Sequence, residues 1–233
     1  MSTDSGCSLE KDKPVYDITK FTHLDYPDHL ACIVWFAGCN MRCLYCYNED
    51  IVLAKSGRYT IDEVMAFLRT RRALLDGVVL SGGEASRYDL VPFCQGIKEL
   101  GFDIKLDTNG TNPKLVGQLL EERLVDYVAL DYKAPREKFS AVTQNRHYDE
   151  FLKTLGLLLD RGVDFEVRTT LHADLLSSED INLMIKELQS MRYKGVYYIQ
   201  EFVDTGRNIA NLQKPKKSFD RSSLLEDIQI VWR

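Results

Sequence analysis

Three cysteines lie within eight residues of one another, with the spacing Cys39-x3-Cys43-x2-Cys46. Cysteine thiolates bind soft metals and iron–sulfur clusters. A structural zinc site uses four ligands whose cysteines usually come in pairs, and this sequence has no second Cys-x2-Cys pair. Three thiolates suit a cluster of four irons in which one iron stays open to a further ligand. The spacing therefore favours an iron–sulfur cluster over zinc, and a disulfide is the least favoured alternative in a reducing compartment.

The other three cysteines stand in different surroundings. Cys7 lies in a polar N-terminal segment, Cys32 in an apolar run and Cys94 on a predicted helix. Free cysteine is often a small buried residue. We expect Cys7 to be a free thiol, and we expect Cys32 and Cys94 to be core residues that bind no metal.

Polar and glycine-rich groups occur at four further places along the chain. They are Ser81–Glu84 (SGGE), Asp107–Gly110 (DTNG), Asp131–Lys133 (DYK) and Arg168. Gly82 and Gly83 can let the backbone approach a ligand, and Glu84 offers a carboxylate to an ammonium group. The alternatives are an ordinary strand-to-helix turn and structural salt bridges.

From residue 31 onwards, short apolar runs alternate with segments of helical period. Strands are predicted over 32–36, 77–80, 102–106, 127–130, 163–171 and 196–202. Helices are predicted over 60–75 with Thr60 as N-cap, over 90–97 before Gly101, over 115–120, from 151 to near Gly162, over 181–188, and over 218–232 at the end.

This alternation predicts a parallel sheet with right-handed crossovers. A complete eight-unit barrel takes about 250 residues, or roughly 31 per unit, so residues 31–233 supply about six and a half units. We expect an α/β fold, an open partial (βα)6 barrel with six parallel strands, in a single domain over 21–233 after a polar extension of residues 1–20. A doubly wound open sheet is the alternative. Because chemistry in such folds lies at the C-terminal ends of the strands, the groups above should form one site.

Composition narrows the class of protein. The chain has 233 residues, 45% of them hydrophobic and 28% charged, with a net charge of −5, which is typical of a soluble globular protein. This balance argues against nucleic-acid binding, and no apolar run reaches the roughly 18 residues that a membrane span needs. Residues 1–13 are polar and predict no secretory signal, so we expect a cytoplasmic protein. We expect residues 1–13 and Lys214–Lys217 to be exposed and mobile.

The cysteine motif resembles that of a known family. The stretch from Gly38 to Cys46, GCNMRCLYC, is similar to the cluster motif of the radical S-adenosylmethionine (radical SAM) superfamily, including the aromatic Tyr45 before the last cysteine. The resemblance implies that Cys39, Cys43 and Cys46 hold a [4Fe-4S] cluster. It also implies that the amino and carboxylate groups of S-adenosylmethionine chelate the fourth iron.

The later motifs follow in the order expected for this superfamily. Gly82-Gly83-Glu84 resembles its methionine-binding motif, with Ala85 in place of the usual proline. The DTNG and DYK segments and Arg168 resemble motifs of the glycyl-radical-enzyme activases. The resemblance implies that these groups bind the ribose and carboxylate of S-adenosylmethionine or the substrate glycine segment. The residues concerned are Asp107, Thr108, Asn109, Asp131, Lys133 and Arg168.

The segment before the cluster motif narrows the resemblance further. Asp25-Tyr26-Pro27 is most like the approach segment in activators of the anaerobic ribonucleoside-triphosphate reductase, although Asp28 replaces a usual glycine and Glu49 a common proline. No cysteine-rich insert lies between Cys46 and the Gly-Gly-Glu loop, so the resemblance implies no added ferredoxin-like domain.

The activity implied is reductive cleavage of S-adenosylmethionine, with one electron from a flavodoxin or ferredoxin, to methionine and a 5′-deoxyadenosyl radical. That radical would remove an α-hydrogen from a glycine of a partner glycyl-radical enzyme, most like the anaerobic ribonucleotide reductase. Two alternatives stay open. One is a radical SAM enzyme that acts on a small molecule, such as a deazapurine precursor of a modified tRNA base. The other is a non-catalytic zinc module that binds another macromolecule.

Overall fold

The computed structural model describes residues 13–233, in which eight strands and seven helices occur. The strands are β1 (Val15–Thr22), β2 (Ala31–Phe36), β3 (Gly77–Gly82), β4 (Asp103–Thr108), β5 (Tyr127–Asp131), β6 (Asp164–Leu171), β7 (Tyr197–Glu201) and β8 (Ile230–Trp232). The helices are α1 (Glu49–Leu53), α2 (Ile61–Arg69), α3 (Val91–Glu99), α4 (Pro113–Glu121), α5 (Arg136–Thr143), α6 (Tyr148–Arg161) and α7 (Ser178–Ser190).

The strands follow one another in the sheet in chain order, from β1 to β8. The pairs β2–β3, β3–β4, β6–β7 and β7–β8 are parallel, whereas β1 is antiparallel to β2. The order is linear, so within the described residues the sheet does not close. This confirms the predicted open α/β fold. The six predicted strands correspond to β2–β7, and β1 and β8 are additional.

The first additional strand begins inside the segment that we expected to be a polar extension. β1 pairs with β2 in a register that sets Ile18 opposite Val34. Only its end residues Val15 and Thr22 are buried, so the sequence offers no apolar run from which to predict it. The expectations for Cys7 and for residues 1–12 concern a part of the chain outside the described residues.

The predicted closing helix over 218–232 is wrong. Asp220 accepts the backbone N–H of Ser222 and caps a single 3₁₀ turn over 221–223. Residues 230–232 then form β8, which runs parallel to β7. The sequence from Ile228 reads Ile-Gln-Ile-Val-Trp, and such β-branched and aromatic residues favour a strand.

The other helix boundaries agree with the sequence signals. Thr60 caps α2 in a capping box with Glu63, although the helix ends at Arg69, six residues before the predicted end. Gly101 and Gly162 follow α3 and α6 with φ angles of +88° and +68°, a conformation that glycine adopts without strain. Helices α1 and α5 were not predicted. No helix in the described part of the chain is long and apolar enough to cross a membrane.

The described residues divide into two compact units. The first unit consists of three segments, which are the described residues up to Asn40, then Asp50–Thr108, then Asn112–Val128. The second unit consists of Met41–Glu49, Asn109–Thr111 and Ala129–Arg233. The single domain over 21–233 therefore stays a prediction.

The core of the first unit contains two of the isolated cysteines. Cys32 and Cys94 are fully buried, as predicted, and neither forms a disulfide. Burial raises the pKa of each thiol to about 12. Both thiols are therefore protonated and poor metal ligands at neutral pH.

His29 is expected to make the stability of the first unit depend on pH. Its Nε2 lies 3.2 Å from a carboxylate oxygen of Asp103, and its ring stacks on Tyr26. Burial alone would lower the pKa of His29, but the Pro27 carbonyl and Asp103 outweigh it and raise the pKa above 6.5. The favourable interaction of the charged ring is complete below pH 6.5 and is lost as the pH rises through the raised value.

The expected loss is about 0.5 kcal/mol, the scale of a partly exposed ion pair. Urea unfolding at pH values on both sides of this window would measure it, with His29→Gln as the control that lacks the dependence. Equal pH dependence in the two proteins would contradict the assignment to His29.

Candidate active site

The cysteine loop, residues 41–46 of the second unit, is held at one side by the end of α5. The backbone N–H of Arg42 donates to the Thr143 carbonyl over 2.8 Å, and that of Leu44 donates to the Val142 carbonyl over 3.0 Å. The N–H of Cys46 donates to the Cys43 carbonyl over 2.9 Å. Backbone hydrogen bonds to α5, a helix that the sequence did not predict, therefore fix the loop conformation that presents the thiols of Cys43 and Cys46.

The two thiols of this loop differ in exposure, and neither is in a disulfide. Cys43 is buried and Cys46 is partly exposed. Burial raises the pKa of Cys46, although the backbone N–H of Asn48 and the charge of Lys133 act in the opposite direction.

Tyr45 lies between these cysteines in the sequence and is 4% exposed. Its buried hydroxyl has no hydrogen-bond partner among residues 13–233, and the Lys133 Nζ lies 6.0 Å from the centre of its ring. A buried polar atom without a partner is rare in folded proteins. Soft thiols beside an unsatisfied buried hydroxyl fit a site that binds a cluster and an organic ligand.

A partly buried charge triad lies at the end of β5 and within β6. Arg168 Nε donates to one oxygen of Asp131 over 2.6 Å, and Lys133 Nζ lies 3.1 Å from the other oxygen. Burial alone would raise the pKa of Asp131, but Arg168 and Lys133 outweigh it and hold this pKa at about 2. Asp131 and Lys133 share one side of the chain because alternate residues of an extended segment point the same way. The triad carries a net charge of +1 and could bind an anion.

The same triad is electrostatically coupled to the cysteine loop. Burial would lower the pKa of Lys133, but Asp131, Tyr45 and Cys43 together raise it well above its ordinary value. Lys133 is therefore a permanent cation at neutral pH. The second unit thus brings together six of the predicted site residues, which are Cys43, Tyr45, Cys46, Asp131, Lys133 and Arg168.

In the first unit, Glu84 links two of the predicted motifs. Its side chain is almost completely buried, at 2% exposure. One carboxylate oxygen accepts the backbone N–H of Ser86 over 3.1 Å and the hydroxyl of Thr108 over 2.8 Å. The Gly-Gly-Glu and DTNG motifs are therefore joined by a hydrogen bond between side chains, and Thr108 orients the carboxylate.

Replacing Thr108 with valine is expected to destabilise the protein by about 1–3 kcal/mol, because it removes a donor from a buried carboxylate. Thr108→Ser keeps the hydroxyl and is expected to lose much less. Urea unfolding of both variants would measure the difference. A valine variant as stable as the wild-type protein would contradict this role of Thr108.

The two glycines of the Gly-Gly-Glu motif pack closely against backbone atoms of residues 35–39. A Cβ on Gly83 would lie 2.1 Å from the Gly38 carbonyl oxygen, and a Cβ on Gly82 would lie 2.4 Å from the Phe36 nitrogen. The N–H of Gly83 donates to the Phe36 carbonyl, and that of Glu84 donates to the Gly38 carbonyl. The interpretation that these glycines make room for a ligand stays a prediction, and the contacts give a further reason for glycine at both positions. The glycines let the turn after β3 pack against the chain after β2.

The DTNG residues also have partners that the sequence did not identify. Asp107 accepts from Lys105 Nζ over 2.6 Å and from the Ser81 hydroxyl over 3.1 Å, and Lys105 is 2% exposed. In the second unit, the Asn109 side chain accepts from the N–H and hydroxyl of Thr111. Lys105 and Asp107 are two residues apart on β4, so their side chains share one face of the strand, and the motif analysis did not use this spacing.

Cys39 belongs to the first unit, where it is partly exposed. Its backbone N–H donates to the Val52 carbonyl over 3.2 Å. Across residues 13–233, no three His, Cys, Asp or Glu side chains converge on a position for one metal ion.

Comparison with known proteins gives a consistent family. Residues 33–175 match the model described as the Radical SAM superfamily. A Methanocaldococcus jannaschii protein named "Putative glycyl-radical enzyme activating enzyme" is 31% identical over 195 residues, which cover 81% of this chain and 79% of that protein. A pyruvate formate-lyase-activating enzyme of Clostridium pasteurianum is 27% identical over 192 residues, which cover 76% of this chain and 77% of that enzyme.

Two further similarities are shorter or weaker. A 7-carboxy-7-deazaguanine synthase of Rhodospirillum rubrum is 33% identical over 76 residues, which cover 32% of each chain. The solved structure described as "Native anSMEcpe with bound AdoMet" matches with a TM-score of 0.59 at 18% identity, over 72% of this chain and 50% of that chain. This chain spans half the length of that structure, and the likeness shows the fold alone.

Proposed function

Because this chain belongs to the radical SAM superfamily, whose members use a [4Fe-4S] cluster and S-adenosylmethionine, we propose that it is an activating enzyme for a glycyl-radical enzyme. When bound, the cluster and S-adenosylmethionine would supply the one-electron radical chemistry by which an α-hydrogen is removed from a glycine of the partner enzyme. The 31% identical M. jannaschii protein, named for this role, supports the activase over other radical SAM reactions.

The thiols of Cys39, Cys43 and Cys46 would hold the cluster. The cysteine loop presents Cys43 and Cys46 from a backbone fixed by the end of α5. Tyr45 and Lys133 lie beside these thiols, and the unsatisfied Tyr45 hydroxyl is available to a ligand. These roles rest on the soft donor set and on the contacts of the loop.

The observation that carries the proposal is the partly buried triad of Asp131, Lys133 and Arg168. The cations of Lys133 and Arg168 both contact one carboxylate, and their positive charge would attract an anionic group, such as the carboxylate of S-adenosylmethionine or of the partner. Glu84 would bind the ammonium group of the methionine moiety, with its carboxylate oriented by Thr108. Asp107 and Asn109 are engaged by neighbouring side chains and would act by shaping the turn after β4.

We assign the anaerobic ribonucleoside-triphosphate reductase as the partner on the Asp25-Tyr26-Pro27 segment. Tyr26 is buried against Gly77 and stacks on His29, so this segment packs as part of the first unit. A flavodoxin or ferredoxin would supply the electron, in a cytoplasm that keeps the cysteines reduced.

Electron paramagnetic resonance tests the partner. The protein, reconstituted anaerobically, would be mixed with S-adenosylmethionine, a reductant and the anaerobic ribonucleotide reductase of its host. We expect a glycyl-radical doublet that is absent with Cys43→Ala. 5′-Deoxyadenosine without a doublet would overturn this partner and favour a small-molecule substrate such as a deazapurine precursor.

A further inference from the structure

The chain after β7 returns to the cysteine loop and binds its backbone. The N–H of Ile209 donates to the Cys46 carbonyl over 3.1 Å, and that of Ala210 donates to the Leu44 carbonyl over 3.1 Å. We call residues 208–212 the strap. No sequence motif marked this segment, and none of the roles assigned above uses it.

The side chain of Asn208 closes the strap into a turn. It is 3% exposed, and its amide group forms hydrogen bonds with both the N–H and the carbonyl of Leu212. Nδ2 donates to the Leu212 carbonyl over 2.8 Å, and Oδ1 accepts the Leu212 N–H over 2.7 Å. The N–H of Asn211 donates to the Asn208 carbonyl over 3.0 Å. A buried amide that is satisfied in both directions fixes one conformation of a loop.

The chain beyond the strap is tied to the end of β6. The His172 ring nitrogen Nε2 lies 2.9 Å from the Gln213 carbonyl oxygen, and His172 is 1% exposed. The Asp174 carboxylate accepts the backbone N–H groups of Lys216 and Lys217. The basic stretch that we expected to be an exposed loop is exposed, and its backbone is anchored. The strap therefore bridges from the β6 end to the cysteine loop.

Leu44 is bound from two sides. Its N–H donates to the Val142 carbonyl of α5, and its carbonyl accepts from Ala210 of the strap. Leu44 lies between Cys43 and Cys46, so these two contacts set the backbone from which both thiols project. Removing either contact leaves the loop held on one side.

We propose that the strap, closed by Asn208, positions Cys43 and Cys46 for cluster binding. Asn208 is a positioning residue, because it acts through the strap backbone and touches neither thiol in the contacts described. This inference rests on the proposed function, since it concerns thiols that we assign to the cluster. It extends that function to a segment outside the family motifs identified in the sequence.

Asn208→Ala tests the proposal, with Asn182→Ala as its matched control. The side-chain amide of Asn182 on α7 makes the same two kinds of hydrogen bond, since it donates to the Ser223 carbonyl and accepts the Leu225 N–H. In the hydrogen bonds described, Asn182 contacts neither the strap nor the cysteine loop. Two readouts are needed. The first is hydrogen–deuterium exchange of the Ile209 and Ala210 amides in the full chain without cluster. The second is the rate of iron release to a chelator after anaerobic reconstitution.

Asn208→Ala is expected to speed exchange of the Ile209 and Ala210 amides by about tenfold, because it removes two hydrogen bonds that close the turn. It is also expected to speed iron release several-fold, whereas Asn182→Ala changes neither. Asn208→Asp keeps the Oδ1 acceptor, so its exchange and iron-release rates are expected to lie between those of the wild-type protein and of Asn208→Ala. This variant replaces Asn208→Ala in the test if the alanine variant does not fold.

Equal exchange and equal iron release in the Asn208→Ala and Asn182→Ala variants would overturn the proposal. Faster exchange with unchanged iron release would also overturn it, because the strap would then hold the loop without affecting the cluster. A wild-type protein that takes up no iron and sulfide would instead overturn the proposed function. The two failures are therefore distinguishable in one set of samples.

Discussion

Cys43→Ala is expected to lose its [4Fe-4S] cluster after anaerobic reconstitution and to reduce cleavage of S-adenosylmethionine by more than about 100-fold. Even changes to groups around metal ligands cost roughly 10–100-fold, and this substitution removes a proposed ligand itself. Cys43 is the more buried of the two thiols in the cysteine loop, so no outside ligand can readily take its place. Iron and sulfide analysis with quantification of 5′-deoxyadenosine would measure both losses.

The buried cysteines of the first unit supply the matched controls. Cys32→Ala and Cys94→Ala remove thiols of the same type from apolar surroundings, where burial raises their pKa to about 12. Each is expected to keep its full iron content and activity and to lose about 1 kcal/mol of stability through a small cavity. A Cys43→Ala protein that retains iron like these controls would contradict the assignment of Cys43 as a ligand.

Asp131→Asn is expected to destabilise the protein by about 1.5–3 kcal/mol, because it leaves the partly buried cations of Lys133 and Arg168 without their shared counter-charge. Both oxygens of Asp131 are engaged, one by each cation. Urea unfolding under anaerobic conditions would measure the loss. Asp17→Asn is the control, since the Asp17–Arg58 pair is exposed and is expected to change stability by less than about 0.5 kcal/mol.

The same carboxylate predicts the sign of an acid dependence. The pKa of Asp131 lies at about 2 in the folded protein, below its ordinary value of 3.8. A lowered pKa stabilises the fold fully above the ordinary value, and this stabilisation of about 2 kcal/mol is lost as the pH falls from there through the folded value. Asp131→Asn should flatten this part of the acid unfolding curve. An unchanged curve, or an asparagine variant as stable as the Asp17→Asn control, would contradict the triad.

The sequence predicted those elements whose residues carry a strong local signal. β2–β7 each bury apolar residues, and Thr60 and Gly162 bound helices by capping and by a left-handed conformation. β1 has half-exposed residues through its middle and produces no recognisable pattern, whereas β8 is β-branched and aromatic but has only three residues, fewer than the roughly four to eight of a typical strand signal. α5 buries only three of its eight residues, and without an apolar stripe it was not predicted.

For the candidate site, the sequence identified motif residues but not the partners that orient them. Thr108 and Glu84 are 24 positions apart and become neighbours only when β3 and β4 pair. The sequence predicts Lys105 only as part of a strand, whereas its ion pair with Asp107 arises because the two side chains share one face of β4. The strap meets the cysteine loop across more than 160 residues of chain, and its contacts are made by backbone atoms that carry no sequence signature.

Cleavage of S-adenosylmethionine tests the central claim most directly. The anaerobically reconstituted wild-type protein, with its iron and sulfide measured, would be reduced and incubated with S-adenosylmethionine, and the products would be quantified. We expect 5′-deoxyadenosine and methionine in equal amounts, dependent on the reductant and absent with Cys43→Ala. A protein that holds zinc without iron or sulfide, or one that carries a reduced [4Fe-4S] cluster and leaves S-adenosylmethionine intact, would contradict it.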